Sequence, residues 1–290
     1  MPELPEVETV KLGLSKLVVG KTITGVIHDT PKSFPNAEAD VQQFLVGASI
    51  LEIKRRAKVL IIELSTKYSL LIHLKMTGQM VFLGATRFGA GHPNDSLIGE
   101  LPDRSTRVTI SFNDQSQLYF NDQRKFGWVK LVPTVEIPNI DFMKKLGPEP
   151  LAADFTDAQF SERLLRRKNS NIKAVLLDQT VVAGIGNIYA DEALWAAKIH
   201  PSTLVRNVSQ VKLNKLFVEL QAVLRLSIEK GGSSDRNYVN AEGKKGSYIS
   251  FAKVFRREGK ECPRCGTVII KTRVAGRGTH LCPHCQKVIA

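Results

Sequence analysis

The 290-residue sequence has no cysteine before position 262 and no secretory n-region followed by an apolar h-region. It has no apolar run of the roughly 18 residues a membrane span needs, and no lipidation motif. These absences argue against a secreted disulfide scaffold, a membrane protein and a lipid-anchored one. Acids are in short supply too: 28 Asp and Glu stand against 41 Lys and Arg, a formal net charge of +13. A surplus of that size favours a polyanionic partner. What is present is a 43% hydrophobic fraction, enough for real cores, in a length suited to one large domain or two ordinary ones.

The basic surplus is uneven. Residues 251–290 hold nine Lys and Arg and two acids. The same stretch holds all four cysteines, as Cys262-Pro-Arg-Cys265 and Cys282-Pro-His-Cys285. Two C-x2-C knuckles at this separation are the spacing of a structural zinc site in a reducing compartment. Four thiolates close a tetrahedron and leave no position for substrate, so the one zinc ion is expected to be structural. His280 and His284 are alternative ligands of lower weight, because the cysteines already complete the set. Zinc with four thiolates removes two units of charge and leaves the segment basic.

At the other end, Met1-Pro2-Glu3-Leu4-Pro5-Glu6-Val7-Glu8-Thr9-Val10 opens an apolar series, Leu4, Val7, Val10, Leu14 and Leu17, at helical spacing. Acids in its first turn suit the positive end of the helix dipole, and proline is tolerated there. A capped amphipathic helix explains the stretch by itself. Removal of Met1, however, would make Pro2 a secondary amine at the chain end. With an α-amino pKa of about 7.7–8, a useful fraction of it is nucleophilic near neutrality. Glu3 stands one residue away, placed to move protons.

After this helix come short apolar or alternating runs at 50–56, 58–64, 69–74, 79–83, 107–112, 117–120 and 127–132, which read as strands of a β-sandwich or barrel-like domain. Residues 84–103, with four glycines, two prolines and no periodicity, read as a long surface loop. Four prolines between 133 and 150 mark an interdomain linker around Leu146-Gly147-Pro148-Glu149-Pro150. Beyond it the period is helical at about 157–167, 170–178, 187–198 and 208–230. Between the second and third lies Thr180-Val-Val-Ala-Gly184-Ile-Gly186-Asn187, a glycine turn in which Asn187 reads as a helix N-cap beside a phosphate-attracting helix end. Residues 231–248, rich in Gly, Ser, Asn and Lys, read as a flexible loop.

Five of these segments, in order, resemble the formamidopyrimidine-DNA glycosylase family: the amino terminus, Arg55-Arg56-Ala57-Lys58, the His73-Leu-Lys-Met76-Thr-Gly and Arg124-Lys-Phe126-Gly pair, the helix–two-turn–helix stretch, and the zinc ribbon. The resemblance implies an α+β fold. An N-terminal β-sandwich domain with its N-terminal helix (1–135) is followed by a linker (136–152), a helical helix–two-turn–helix domain (153–250) and a zinc finger (251–290). It implies a bifunctional glycosylase and abasic-site lyase acting on oxidised purines in duplex DNA.

Pro2, Glu3, Lys58 and Arg277 would then be catalytic. Pro2 forms a Schiff base at C1′, Glu3 moves protons, and Lys58 and Arg277 support the strand-nicking eliminations. His73, Met76, Arg124, Phe126, Lys168 and Asn187 would contact DNA, with Met76, Arg124 and Phe126 filling the stack vacated by the extruded base. The residue patterns alone leave blander readings open: Lys58 as a solvated strand lysine, His73 as a structural histidine, Phe126 as core. Thr77 is uninformative. The 231–248 loop would close over the base. The expected setting is a monomer in a bacterial cytoplasm, associated with the nucleoid and with no membrane partner. Two alternatives stand beside this reading. One is an endonuclease VIII-type pyrimidine glycosylase, disfavoured by Leu4 where that family has Pro-Glu-Gly-Pro. The other is a non-catalytic zinc-ribbon DNA-binding protein, for which Pro2, Glu3 and Lys58 would be superfluous.

Overall fold

The structure is a computed structural model that describes residues 1–92, 94–233 and 248–288. The chain divides into two compact units. Unit one is Met1–Lys144 with the described part of Lys230–Ser247, and unit two is Lys145–Glu229 with Tyr248–Ala290. No helix among the described residues is long and apolar enough to cross a membrane.

Unit one opens with helix α1 (Leu4–Val18). Of its apolar series, Leu4, Val7, Val10 and Leu14 are wholly buried. The strands that follow form two antiparallel sheets. One has five strands in the order β1 (Ile23–His28), β7 (Thr106–Phe112), β8 (Gln117–Asp122), β5 (Gly78–Leu83), β6 (Arg87–Gly91). The other has four: β2 (Ile50–Arg56), β3 (Val59–Leu64), β4 (Tyr68–His73), β9 (Trp128–Pro133). Their facing side chains, among them Leu60, Ile62, Leu70 and Ile72 from one sheet and Met80, Phe82, Ile110 and Phe120 from the other, form a single core. This is the sandwich expected from the strand pattern.

Helix α1 packs against the edge strands β2 and β6 and so covers one seam between the layers. Gly13 is what allows that approach: a Cβ there would lie 2.2 Å from the Phe88 ring of β6. The outer faces are covered as well. Val59, Ile61 and Leu71 pack with Ile137 and Phe142, from a short segment ending in helix α3 (Asp141–Lys144), while Val81 and Tyr119 pack with Leu97. Strands buried on both faces read as continuous apolar runs, which is why β3 and β4 were so visible.

Several elements depart from the sequence reading, among them α3, which lies inside the expected linker. β1 and a short helix α2 (Glu38–Phe44) were not anticipated, and β6 lies inside the expected loop 84–103. β6 is glycine-rich because its neighbours come too close for side chains. A Cβ on Gly91, at φ +124°, would sit 2.5 Å from the Gly78 carbonyl oxygen.

Unit two contains α4 (Asp157–Leu165), α5 (Ile172–Leu177), α6 (Asn187–Ala196), the long α7 (Gln210–Glu229) and the short α8 (Tyr248–Phe251) around one apolar core. A two-stranded ribbon, β10 (Ile270–Val274) and β11 (Arg277–Leu281), packs against α6. A capping box at Thr156 and Gln159 starts α4, and Asn171 caps α5. The segment before α4 is also held: Gly147 N–H donates to the Gln179 carbonyl at 2.8 Å. Most of the 231–248 loop lies outside the described residues.

Candidate functional site

In unit one the residues of interest lie at the start of α1 and in or beside the turns that follow β2, β4 and β8. Pro2 and Glu3 are buried at the helix start, with Met1 exposed. Glu3 is the N-cap, and its N–H donates to the Glu6 carboxylate at 2.8 Å. Glu6 also accepts from the Ser233 N–H at 2.8 Å, so one buried carboxylate joins the helix start to the first residues of the 231–248 segment. Glu6 was not singled out in the sequence, where a first-turn acid is ordinary.

Lys58 sits in the two-residue turn between β2 and β3, after Ala57 at φ 53°, and is 7% exposed. Its burial rules out the solvated strand lysine. Arg55 fixes this turn by donating to the Ala57 carbonyl at 2.8 Å and to Glu8 of α1 at 2.7 Å. Burial pulls the Glu8 carboxyl up, but hydrogen bonds and charge from Lys11 and Arg55 outweigh it and hold it below the usual range. The ion pair therefore ties the Lys58 turn to α1, the helix that Glu3 caps and Pro2 precedes.

His73 ends β4, where it pairs with Val59 across the ladder. It is buried against Trp128 and Phe142. Burial first, then the charges of Lys75 and Lys58, lower its pKa from 6.5 to about 3. Its Nδ1 accepts from the Lys75 N–H at 3.0 Å, so the neutral ring carries its proton on Nε2 and can donate there. Met76, in the loop that follows, is half-buried.

Arg124 and Phe126 lie in the loop between β8 and β9 and are exposed. Phe126 is 46% exposed, with the Arg124 guanidinium 4.7 Å from its ring centroid, so the reading of Phe126 as core is corrected. An aromatic held in solvent against a cation is a surface prepared for stacking.

In unit two, Lys168 is exposed just before α5. Gly186, and not Asn187, is the N-cap of α6. Asn187 is the first helical residue, and its amide donates instead to the Gly278 carbonyl at 2.9 Å, next to Arg277. The physical reason is that Gly186, extended at φ −132° and ψ −165°, takes the capping position one residue earlier, after a turn that Gln179 staples by taking the Gly184 N–H at 2.9 Å and donating to the Leu177 and Ile185 carbonyls. That frees the Asn187 side chain for the ribbon. Arg277 is exposed and follows a two-residue hairpin turn, Ala275 and Gly276, both at positive φ.

Two further contacts anchor that ribbon. Lys173 and Asp191, both wholly buried, form an ion pair at 2.6 Å, and Lys173 also donates to Thr279 at 2.6 Å. Asp191 accepts from the His280 N–H at 2.9 Å. Nothing in the sequence marked this pair, since a lysine and an aspartate on neighbouring helices are commonplace.

The four cysteine Sγ atoms lie within 4.8 Å of one another, with separations of 3.5 Å for Cys265–Cys282 and 4.0 Å for Cys262–Cys285. Zinc–thiolate bonds of about 2.3 Å require tetrahedral edges of about 3.8 Å, so the set fits one zinc ion. Neither His280 nor His284 belongs to the cluster. His280 is buried against Phe255, and His284 is exposed. Trp195 and Val254 pack with the buried Cys262 and Cys282, which seats the metal site on α6.

Comparison with known proteins matches three regions of the chain. Residues 1–129 match the formamidopyrimidine-DNA glycosylase N-terminal domain, residues 146–238 the H2TH domain of that glycosylase, and residues 259–288 the zinc finger found in FPG and IleRS. Formamidopyrimidine-DNA glycosylase of Pelotomaculum thermopropionicum is 41% identical, over 99% of this chain and 100% of its own. A solved Lactococcus lactis FPG variant in complex with Fapy-dG-containing DNA superposes with TM-score 0.87 at 37% identity, covering 99% of this chain and 100% of that one. MutM in complex with carbocyclic 8-oxo-G-containing DNA gives TM-score 0.85 at 37% identity and the same coverage. From its first residues to its zinc ribbon, the chain belongs to the formamidopyrimidine-DNA glycosylase family.

Proposed function

We propose that this protein is a base-excision enzyme that removes oxidised purines, 8-oxoguanine and formamidopyrimidines, from duplex DNA and then nicks the abasic strand. The observation that carries the reading is the Lys58 turn, buried and tied through Arg55 and Glu8 to α1, the helix that Pro2 and Glu3 lead into. A protein that only bound DNA would have no need to bury a lysine there. The lesions are those held by the related complexes, and the net charge of +13 suits the polyanion.

In this reading Met1 is removed and the Pro2 nitrogen attacks C1′. The base leaves with the glycosidic electron pair and the proline nitrogen loses its proton; the C1′–O4′ bond then opens, its oxygen taking a proton, and the iminium so formed joins protein and sugar. Glu3 serves as general acid/base at the sugar. Lys58 and Arg277 bind phosphate and assist the eliminations, and His73 donates from Nε2 to the backbone. Lys168 and Asn187 add phosphate contacts from unit two. Zinc holds the ribbon that presents Arg277 and takes no part in the chemistry. The enzyme works as a monomer in the cytoplasm, at the nucleoid.

Borohydride trapping on an 8-oxoguanine duplex tests this. A covalent adduct is expected with the matured wild type, with the crosslink on the Pro2 peptide. It is lost in Pro2→Gly carrying an N-terminal tag. An adduct that persists in that tagged variant removes Pro2 from the mechanism. Preference for thymine glycol over 8-oxoguanine would instead indicate the endonuclease VIII-type activity.

A further inference from the structure

The three residues proposed to fill the emptied stack come from two loops far apart in sequence. Met76 lies between β4 and β5, and Arg124 and Phe126 between β8 and β9. To work together they must enter the duplex at one height and spacing, and exposed loops do not hold such a relation by themselves. One buried side chain joins them.

Asp122, the last residue of β8, is 0% exposed. One carboxylate oxygen accepts from the Thr77 hydroxyl, one residue after Met76, and from the Arg124 N–H at 3.2 Å. The other accepts from the N–H groups of Phe126 at 2.8 Å and Gly127 at 2.6 Å. Thr77 Oγ1 also accepts from the Arg124 N–H at 3.1 Å, so the Thr77 proton is free for Asp122. Every one of these donors belongs to the Met76 loop or the Arg124–Phe126 loop.

The carboxylate is itself anchored through its own backbone. The Asp122 N–H donates to the Ser105 carbonyl at 2.7 Å, and its carbonyl accepts from Arg107 Nε at 2.8 Å. The loop it holds is bent: Lys125 lies at φ 55°, and a Cβ on Gly127 would fall 2.6 Å from the Phe120 ring and 3.1 Å from the Asp122 carboxylate. A backbone turned this far persists only where its surroundings over-determine it. Hydrogen bonds to an ionised acceptor are the strong kind that can do so.

We infer that Asp122, acting with Thr77, is a positioning residue for base extrusion. It locks the Met76 loop to the Arg124–Phe126 loop so that the three side chains enter the duplex as one preformed unit. The inference rests on the glycosylase reading above. It assigns a role to Thr77, for which the sequence offered none. Asp122 touches neither base nor sugar. Its effect falls on the step that opens the stack, not on the bond-breaking steps.

The test compares two substrates in single-turnover kinetics: a duplex containing 8-oxoguanine, and the same duplex with a pre-formed abasic site, which has no base to extrude. Asp122→Asn places an amide against N–H donors, and Thr77→Val removes the hydroxyl at equal volume. Displacement of a reacting arrangement by about 1 Å costs about 100-fold, so lesion excision should fall by about that factor. Abasic nicking should fall by less than about 10-fold. Thr77→Ser, which keeps the hydroxyl, should recover lesion excision. A 2-aminopurine beside the lesion should show the unstacking signal delayed in Thr77→Val and restored in Thr77→Ser. If Asp122→Asn does not fold, the Thr77 pair carries the test. Equal losses on both substrates, or Thr77→Val matching Thr77→Ser, would overturn the inference. A wild type that leaves the lesion uncut but shows these folded variants intact would overturn the glycosylase reading and the inference with it.

Discussion

His73 shows what a single buried side chain contributes. Its pKa is lowered from 6.5 to about 3 by burial and by Lys75 and Lys58. Folded His73 therefore stays neutral where unfolded His73 takes up a proton. The stability it contributes is fully present above pH 6.5 and is lost as pH falls toward 3. The loss follows about 1.4 kcal/mol per pH unit, the slope for one proton. Urea unfolding of wild type and His73→Gln between pH 7 and 4 should show a shallower pH slope in the variant. Equal slopes would mean that His73 does not sense the titration. At this scale the sequence was informative about which residues matter and silent about how they are held. Lys58, Arg124 and Phe126 could be named from their motifs, but the supports could not. Glu6, Asp122 and the Lys173–Asp191 pair act through contacts between residues far apart in the chain, and no spacing rule encodes those.

At the scale of elements, legibility followed burial and periodicity. α1, the strands of the four-stranded sheet and α4 to α7 were visible because each presents a regular apolar face. β6 was not, because its close neighbours require glycine and glycine reads as loop. β1 was missed because it is an edge strand with Ile27 72% exposed, so its alternation is weak. α2 buries only Val41 and has too little pattern to declare itself. The seam between α1 and β6 gives a direct test. Alanine is the better helix former by about 1 kcal/mol, so propensity alone predicts that Gly13→Ala stabilises the protein. The Phe88 ring 2.2 Å from the new Cβ predicts the reverse, a loss of about 1–3 kcal/mol from overpacking. Adding Phe88→Leu should recover part of that loss. Two additive effects in denaturant unfolding would mean the residues are not coupled.

For the molecule as a whole, the division of labour was readable from composition: apolar strands first, helices next, cysteines and surplus base last. Those are the regions matched by three separate family domains. Zinc should matter well beyond its own knuckles. The ribbon between them is mostly exposed and buries little of its own, so the metal supplies much of its folding free energy. Chelation should therefore abolish lesion cutting, while circular dichroism retains most of the β signal from unit one. Full retention of cutting in metal-free protein would show that the ribbon is dispensable. The packing of Arg264 on Trp195 offers a way to follow this. Its guanidinium lies 3.9 Å from the indole centroid and donates to the Trp195 carbonyl at 3.0 Å. The sequence has only two tryptophans, so Trp128→Phe leaves Trp195 as the sole indole emitter. Its emission colour then becomes an intrinsic optical gauge, shifting red as the knuckle lifts away and water reaches the ring.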